Sequence, residues 1–263
     1  VRDDEFGEDA EGIKADYSFH QHVDQVQFGG YGENFASGIN QILNAAKGTR
    51  YRVTDRALNE YTNYILDGLS WAYQGEYKDF TVTGRGLVRQ DKGKGIRGSV
   101  KTAMELLLEY PQLSRYQELK STYAQRFGSE TDSFSGNRQF WLSDYMSQHR
   151  PGYHLGIKLA SNRTKLGEVI NDENLLGYYL SDGVTCMMRR GDEYDNIYPV
   201  WDWNKLPGTT TPQGGLKNLN DWAEWNGEHL WNWKGNCSFV GGVSDGTYGA
   251  AAMWLESCLL YTS

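Results

Sequence analysis

Cysteine is scarce in this chain. Only Cys186, Cys237 and Cys258 occur among 263 residues. The odd count and wide spacing make neither a metal motif nor a disulfide framework, and they leave the redox compartment open. Long apolar runs are absent too: no stretch approaches the roughly 20 residues a membrane-spanning helix needs. Positive charge is in deficit, with 26 Lys and Arg against 34 Asp and Glu and a net charge of −8. That balance excludes nucleic acid as the expected partner, because phosphate binding needs a basic field. It also works against any acidic polymer, unless a local basic cleft outweighs it. There is no internal repeat and no low-complexity segment. No signal peptide is visible either, but Val1 is not an initiator, so that absence says nothing about a leader.

What is abundant is aromatic surface, with 9 Trp and 18 Tyr in a chain that is 14% aromatic. Large rings suit a core, and they equally suit a groove where sugar faces lie on rings. The length allows one large or two ordinary domains. Residues 1–32 read as irregular loop. Four helical patterns follow: Phe35, Ile39, Ile42 and Leu43 on one face, then Leu58, Tyr61, Ile65, Leu66 and Leu69 behind a Thr54-Asp55 cap. The third carries Val100, Met104, Leu107 and Leu108 and stops before Pro111. The fourth carries Leu119, Tyr123 and Phe127 and ends at Gly128. Glu130–Ser133 is a polar linker, and beyond it the period changes. Gln139–Leu142 and Tyr153–Leu159 read as strands, as do Gly177–Leu180 and Val184–Met188 around an Asp182-Gly183 hairpin turn. Gly241, Gly242 and Gly246 mark a further turn before a strand near Tyr248–Trp254. The expectation is α+β: a helical part over 1–130 and a β part over 131–263.

Candidate chemistry lies on the loops. Asp16–His22 runs into Phe28-Gly29-Gly30-Tyr31-Gly32, which sets an imidazole (His22) and a phenol (Tyr31) nine positions apart. Gly84-Arg85-Gly86-Leu87-Val88-Arg89 sets two guanidinium groups four apart between small neighbours. An imidazole, a phenol and arginines can remove a proton from carbon beside a carboxylate. A uronic acid presents that proton at C5, and the 4-linked sugar then leaves. Such a reaction needs a base, a neutraliser for the carboxylate and an acid for the leaving oxygen. Tyr31 is the candidate base and acid. A free phenol ionises near pH 10, so it needs a cation beside it to act at neutrality, and arginine stays charged throughout. His22 is a second base or a carboxylate donor. Glu168 is placed to orient His22 or a guanidinium, and Asn171 to hydrogen-bond sugar or carboxylate oxygens.

Plainer readings stand beside each of these. A Tyr after Gly-Gly packs, a His lies on the surface, two arginines face solvent, and Asn171-Asp172-Glu173-Asn174 is a turn. His20 and His22 would share a face of an extended strand and could ligate metal, but no third ligand is near. Asp192-Glu193-Tyr194-Asp195 offers oxygens for a structural calcium. Trp201, Trp203, Trp222, Trp225, Trp231 and Trp233 are sugar platforms or inter-sheet packing.

Together these segments resemble polysaccharide lyase family 8, which holds chondroitin AC lyases, hyaluronate lyases and xanthan lyases. The Asp16–Gly32 loop looks like that family's His–Tyr loop, with His22 rather than His20 at the catalytic His and Tyr31 at the catalytic Tyr. Gly84–Arg89 is similar to its two-arginine loop, and Glu168 and Asn171 match its Glu-x-x-Asn motif. Phe140–Met146, His149–Tyr153 and Gly177–Gly183 look like its domain junction and first sheet, and Tyr198–Thr210 is very like chondroitin AC lyases. The resemblance covers roughly residues 10–253, and Trp254 onward is not expected to follow it.

The resemblance implies an incomplete α/α toroid, here its C-terminal helices only, followed by a partial antiparallel β-sandwich. It implies β-elimination on an acidic, uronate-containing glycosaminoglycan, with no required cofactor, by a secreted or periplasmic bacterial monomer. It also implies a carboxylate-neutralising Asn and an aromatic patch upstream of the His–Tyr loop. The chain reads as an internal piece without them, expected to be inactive alone. The alternatives are a xanthan-type lyase, a non-catalytic sugar-binding relative, and a glycoside hydrolase, which would need two carboxylates roughly 5–9.5 Å apart.

Overall fold

The computed structural model describes residues 11–90, 93–165, 167–211, 224–225, 230–231 and 239–254. Three short strands, β1 (Gly12–Ile13), β2 (Phe19–Gln21) and β3 (Gln25–Val26), form an antiparallel sheet in that order. Residues 11–32 are therefore more ordered than the irregular loop expected of them. Phe19 and Val26 are buried and anchor the sheet to the helical core. A single π-helical turn, Phe28–Gly32, leads directly into helix α1 (Glu33–Ala46).

Helix α2 (Asp55–Asp67) starts where the sequence predicts, because Thr54 Oγ1 accepts from the Ala57 N–H. Helices α3 (Ile96–Leu107) and α4 (Tyr116–Phe127) complete the set. Between α2 and α3, strands β4 (Tyr73–Gln74) and β5 (Tyr77–Lys78) make a hairpin.

Helix α1 does not bury the face its apolar residues suggested. Phe35 and Ile42 are exposed, while Ala36, Asn40 and Leu43 face inward. Asn40 explains the rotation. Its Nδ2 donates to the Ser99 carbonyl, and its Oδ1 accepts from Tyr61 Oη at 2.7 Å. A polar tie between three helices fixes the helix where an apolar stripe alone would not.

The principal sheet is antiparallel, in the order β6 (Gly136–Phe140), β7 (Tyr145–Arg150), β8 (Tyr153–Lys158) and β9 (Val184–Met188). Three expectations need correction here. Strand β7 carries Ser, Gln, His and Arg and gave no apolar alternation, yet it is central. Trp141 and Leu142 belong to the β6–β7 turn. Gly177–Tyr179 is a 3-10 turn, so Asp182-Gly183 does not join a hairpin; β9 pairs with β8 instead. Strands β10 (Glu224–Trp225) and β11 (Leu230–Trp231) pair, as do β12 (Val240–Ser244) and β13 (Gly249–Met253). Gly241 and Gly242 lie within β12, and only Gly246 is in the turn.

Helices and sheet share one core. Phe28 stacks edge-on against Phe140 and packs with Tyr145, joining the π turn to β6 and β7. Among the described residues no helix is long and apolar enough to cross a membrane.

Candidate active site

Three short irregular segments bring the candidate residues together. The β2–β3 hairpin pairs Gln21 with Gln25, so residues 22–24 form its loop. His22 and Val23 both take positive φ there, +56° and +70°. A β-branched residue in that region is strained, and such strain concentrates at functional sites. The loop sends His22 Nδ1 into a hydrogen bond with Glu168 Oε1.

The π turn carries Tyr31. The Gly32 N–H donates to the Gln27 carbonyl, five residues back, at 2.9 Å. Phe28 goes into the core and Tyr31 remains 36% exposed. Its ring meets the His22 ring edge-on, with centroids 5.1 Å apart.

The arginines occupy a 3-10 turn, Gly84–Val88, and the residue after it. Gly84 has φ +56°, and a Cβ there would lie 2.0 Å from Gln27 Nε2 and 2.6 Å from Glu168 Oε2. Only glycine admits that approach. The Arg85 N–H donates to Glu168 Oε2 at 2.9 Å and Arg85 Nη1 to Oε1 at 2.6 Å. Arg85 Nε also reaches Glu173 Oε2 at 3.0 Å. Arg89 grips Glu173 as a fork, with Nε and Nη2 each 2.6 Å from an oxygen.

Glu168 is 2% exposed. Burial would raise its pKa, but His22, the Arg85 N–H and the Arg85 charge outweigh that and hold the carboxyl below its usual range. The Arg89 hydrogen bond does the same for Glu173, and Glu173 in turn raises Arg89. Arg89 is close enough to Tyr31 for the two to interact electrostatically. Gln27 Nε2 completes the set by donating to Glu168 Oε2 at 2.7 Å.

Of the residues singled out in the sequence, His22, Tyr31, Arg85, Arg89 and Glu168 thus form one connected cluster. Asn171 lies at its edge, exposed, in a tight turn where Ile170 pairs with Glu173 and both Asn171 and Asp172 take positive φ. Gln27 and Glu173 belong to the cluster as well. No local signal marked either: Gln27 precedes a glycine pair, and Glu173 sits in a run that reads as a plain turn.

His20 does not join His22. It is 2% exposed and its Nε2 pairs with Ser143 Oγ at 2.8 Å, and burial holds its pKa well below the usual range. The strand ends at Gln21 and the chain reverses, so the two imidazoles share no face. The Asp192–Asp195 carboxylates are engaged within the protein. Glu193 accepts from the N–H groups of Arg189, Arg190 and Gly191, Asp195 accepts from Tyr77 Oη, and Asp192 pairs with Arg190. Among the described residues no group of three or more His, Cys, Asp and Glu gathers as metal ligands. Trp201 and Trp203 pack with Phe80, Tyr194 and Tyr198 in a separate apolar cluster that includes Val184 and Met188 of β9. Trp222, Trp233, Cys237 and Cys258 lie outside the described residues, and of Trp225 and Trp231 only the strand positions are described.

Comparison with known proteins identifies the family. Residues 5–125 match the family model "Polysaccharide lyase family 8, N terminal alpha-helical domain", and residues 135–262 match "Polysaccharide lyase family 8, super-sandwich domain". The second match runs past residue 253, where the resemblance had been expected to stop. A chondroitinase-AC from Pedobacter heparinus is 37% identical over 250 residues, which is 94% of this chain and 34% of that protein. A hyaluronate lyase from Cutibacterium acnes is 25% identical, covering 95% and 33%. The chain thus spans about a third of the length of the curated relatives it matches. A solved chondroitinase AC lyase superposes with TM-score 0.73 at 34% identity, over 93% of this chain and 35% of that one. A chondroitin AC lyase from Streptomyces coelicolor A3 superposes with TM-score 0.70 at 23% identity, over 92% and 38%. The fold class follows: helices of an incomplete α/α toroid, then antiparallel sandwich strands. With two family models laid end to end over nearly its whole length, the chain belongs to polysaccharide lyase family 8.

Proposed function

We propose that this chain carries the reacting residues of a lyase that cleaves a uronate-containing glycosaminoglycan by β-elimination. The observation that supports it most is the Tyr31 phenol lying against His22, beside two arginines that two buried or half-buried glutamates hold in place. Tyr31, as phenolate, takes the C5 proton of the uronate. The electrons of that C–H bond become the C4–C5 double bond, and the C4–O bond breaks. The proton on Tyr31 then passes to the leaving oxygen, so one phenol serves as base and acid. His22 and the arginines face the negative charge that builds on the carboxylate. Glu168, buried with both oxygens engaged, positions His22 and Arg85 rather than meeting substrate. Asn171 hydrogen-bonds the sugar from the rim. No cofactor is invoked for these steps, and a secreted or periplasmic monomer acting on an extracellular polymer fits the chemistry.

A hydrolase reading is disfavoured by the same electrostatics. It needs one carboxyl held protonated, with a raised pKa, and Glu168 and Glu173 are both lowered. The test is Tyr31→Phe in the active enzyme, followed by ultraviolet absorbance of the unsaturated uronate. Loss of the proton-transfer oxygen is expected to cost about 10²–10⁴-fold in turnover, with substrate binding largely kept. Near-normal turnover would remove Tyr31 from the chemistry.

A further inference from the structure

On an α-helix, Phe28 and Tyr31, three positions apart, would share a face. Here Phe28 is fully buried in the core and Tyr31 stands in the site. The π turn makes the difference. Closing on bonds five residues apart, it widens the backbone and swings Tyr31 off the Phe28 face. Two such bonds hold it: the Gly32 N–H donates to the Gln27 carbonyl at 2.9 Å, and the Glu33 N–H to the Phe28 carbonyl.

Gln27 works on both sides of this turn. Its N–H donates to the Phe19 carbonyl on β2 at 2.8 Å, and its carbonyl closes the turn. Its side chain is 1% exposed and sends Nε2 to Glu168 Oε2 at 2.7 Å. The amide passes between two glycines. A Cβ on Gly30 would lie 2.9 Å from Gln27 Oε1, and one on Gly84 would lie 2.0 Å from Nε2. The Tyr31 turn and the Arg85 turn thus close on the same side chain. His22 and Arg85 reach Glu168 from loops of their own. Of these three donors, Gln27 is the one that also closes the Tyr31 turn.

We propose that Gln27 is a positioning residue that sets the Tyr31 phenol against His22, acting through Glu168 and the π turn and not on substrate. The proposal rests on the lyase reading for what Tyr31 does. His22 and Arg85 fix Glu168, and Gln27 registers the phenol's turn to that fixed point. The donor has to be neutral or protonated, because Glu168 is held as a carboxylate.

Two substitutions in the active enzyme test this. Gln27→Met keeps the length and lacks the donor. Its kcat is expected to fall about 10-fold to 100-fold, the order of cost of a 1 Å misplacement, while KM stays within about twofold. Gln27→Glu keeps the shape. Two carboxyls at the 2.7 Å separation of the present contact cannot both ionise. At acid pH the new carboxyl is protonated and donates to Glu168 as the amide does, so turnover is kept. As pH rises it ionises and repels Glu168, and kcat falls. The kcat–pH profile of Gln27→Glu should therefore gain a descending limb absent from the native and Gln27→Met profiles. Circular dichroism over the same pH range separates positioning from folding. A loss of kcat that tracks unfolding overturns the proposal, and so does a Gln27→Glu profile without the new limb. Crystal structures of the native and Gln27→Met enzymes read placement apart from chemistry, with the Tyr31 ring expected to move away from His22. An unmoved ring overturns the proposal whatever Tyr31 does. A moved ring with native kcat supports the positioning role and removes Tyr31 from the chemistry.

Discussion

Asp79→Ala is expected to be the most damaging single substitution outside the candidate site. Asp79 is fully buried. Its Oδ1 accepts from Thr81 N–H at 2.8 Å and Thr81 Oγ1 at 2.6 Å, which caps the 3-10 turn Phe80–Val82 just before Gly84. Its Oδ2 accepts from Tyr145 Oη on β7 and pairs with His154 Nε2 on β8, both at 2.9 Å. Truncation strands the buried Tyr145, His154 and Thr81 side-chain groups and frays the turn that aims Arg85. Each orphaned buried group costs about 1–3 kcal/mol. The sum is on the order of 4 kcal/mol, a large part of the roughly 5–15 kcal/mol that holds a domain together. Urea unfolding measures it. The double variant with Tyr145→Phe should lose less than the sum of the two singles, because the phenol that Asp79→Ala orphans is gone. A loss below about 1 kcal/mol, or strict additivity, would refute this account of the interface.

Stability should fall as pH drops from 7 to 5.5. Burial holds His20 and His149 well below the usual 6.5 in the folded state, so the unfolded chain takes up protons first. Their contribution is complete above pH 6.5 and erodes below it, by roughly 2 kcal/mol in all at pH 5.5. Thermal melts across that range check it, and a flat profile contradicts it. Lys158→Met should stabilise the fold near neutrality. This fully buried amine is lowered to about 8, so stability climbs with pH between 8 and 10.5, and below that window the charged form costs about 3 kcal/mol. The variant should recover part of that cost and flatten the slope. Gly84→Ala should remove turnover in the active enzyme and also lower the urea midpoint, since Ala is strained at this positive φ and its Cβ would displace Gln27 and Glu168; unaltered turnover would show that this approach is not needed.

The helices were legible because their signals are local. Thr54 caps α2 as its sequence suggests, and Gly128 follows α4. The register of α1 was not legible, because Asn40 reads as a surface residue until Tyr61 and Ser99 are brought against it. Strand β7 was missed for the opposite reason: its polar side chains face buried partners. Ser147 Oγ donates to the Trp71 carbonyl, and His149 pairs with His154. Burial of polar groups by pairing leaves no period-2 signature. Within the site, His22, Tyr31 and the arginines were visible as unusual residue types on glycine-rich loops. Glu173 and Gln27 were not, since their roles exist only across 84 and 141 residues of chain.

Those separations also bear on how the site is made. Neither the helical segment nor the sheet holds it alone. His22, Tyr31 and both arginines come from loops of the helical half, while Glu168 and Glu173 come from the segment between β8 and β9. Without the two glutamates, Arg85 and Arg89 would stand four residues apart on one short turn as like charges with no carboxylate between them. The hydrogen bond from the Arg85 N–H to Glu168 ties backbone as well as side chain, so the position of the whole turn depends on docking of the later segment. Asp79 makes the same kind of tie from the other direction, from the helical half into β7 and β8. Displacing the two halves by even an ångström would therefore pull Glu168 and Glu173 away from His22 and the arginine pair. A chemistry that needs base, acid and charge neutraliser at one carbon is sensitive to such a shift.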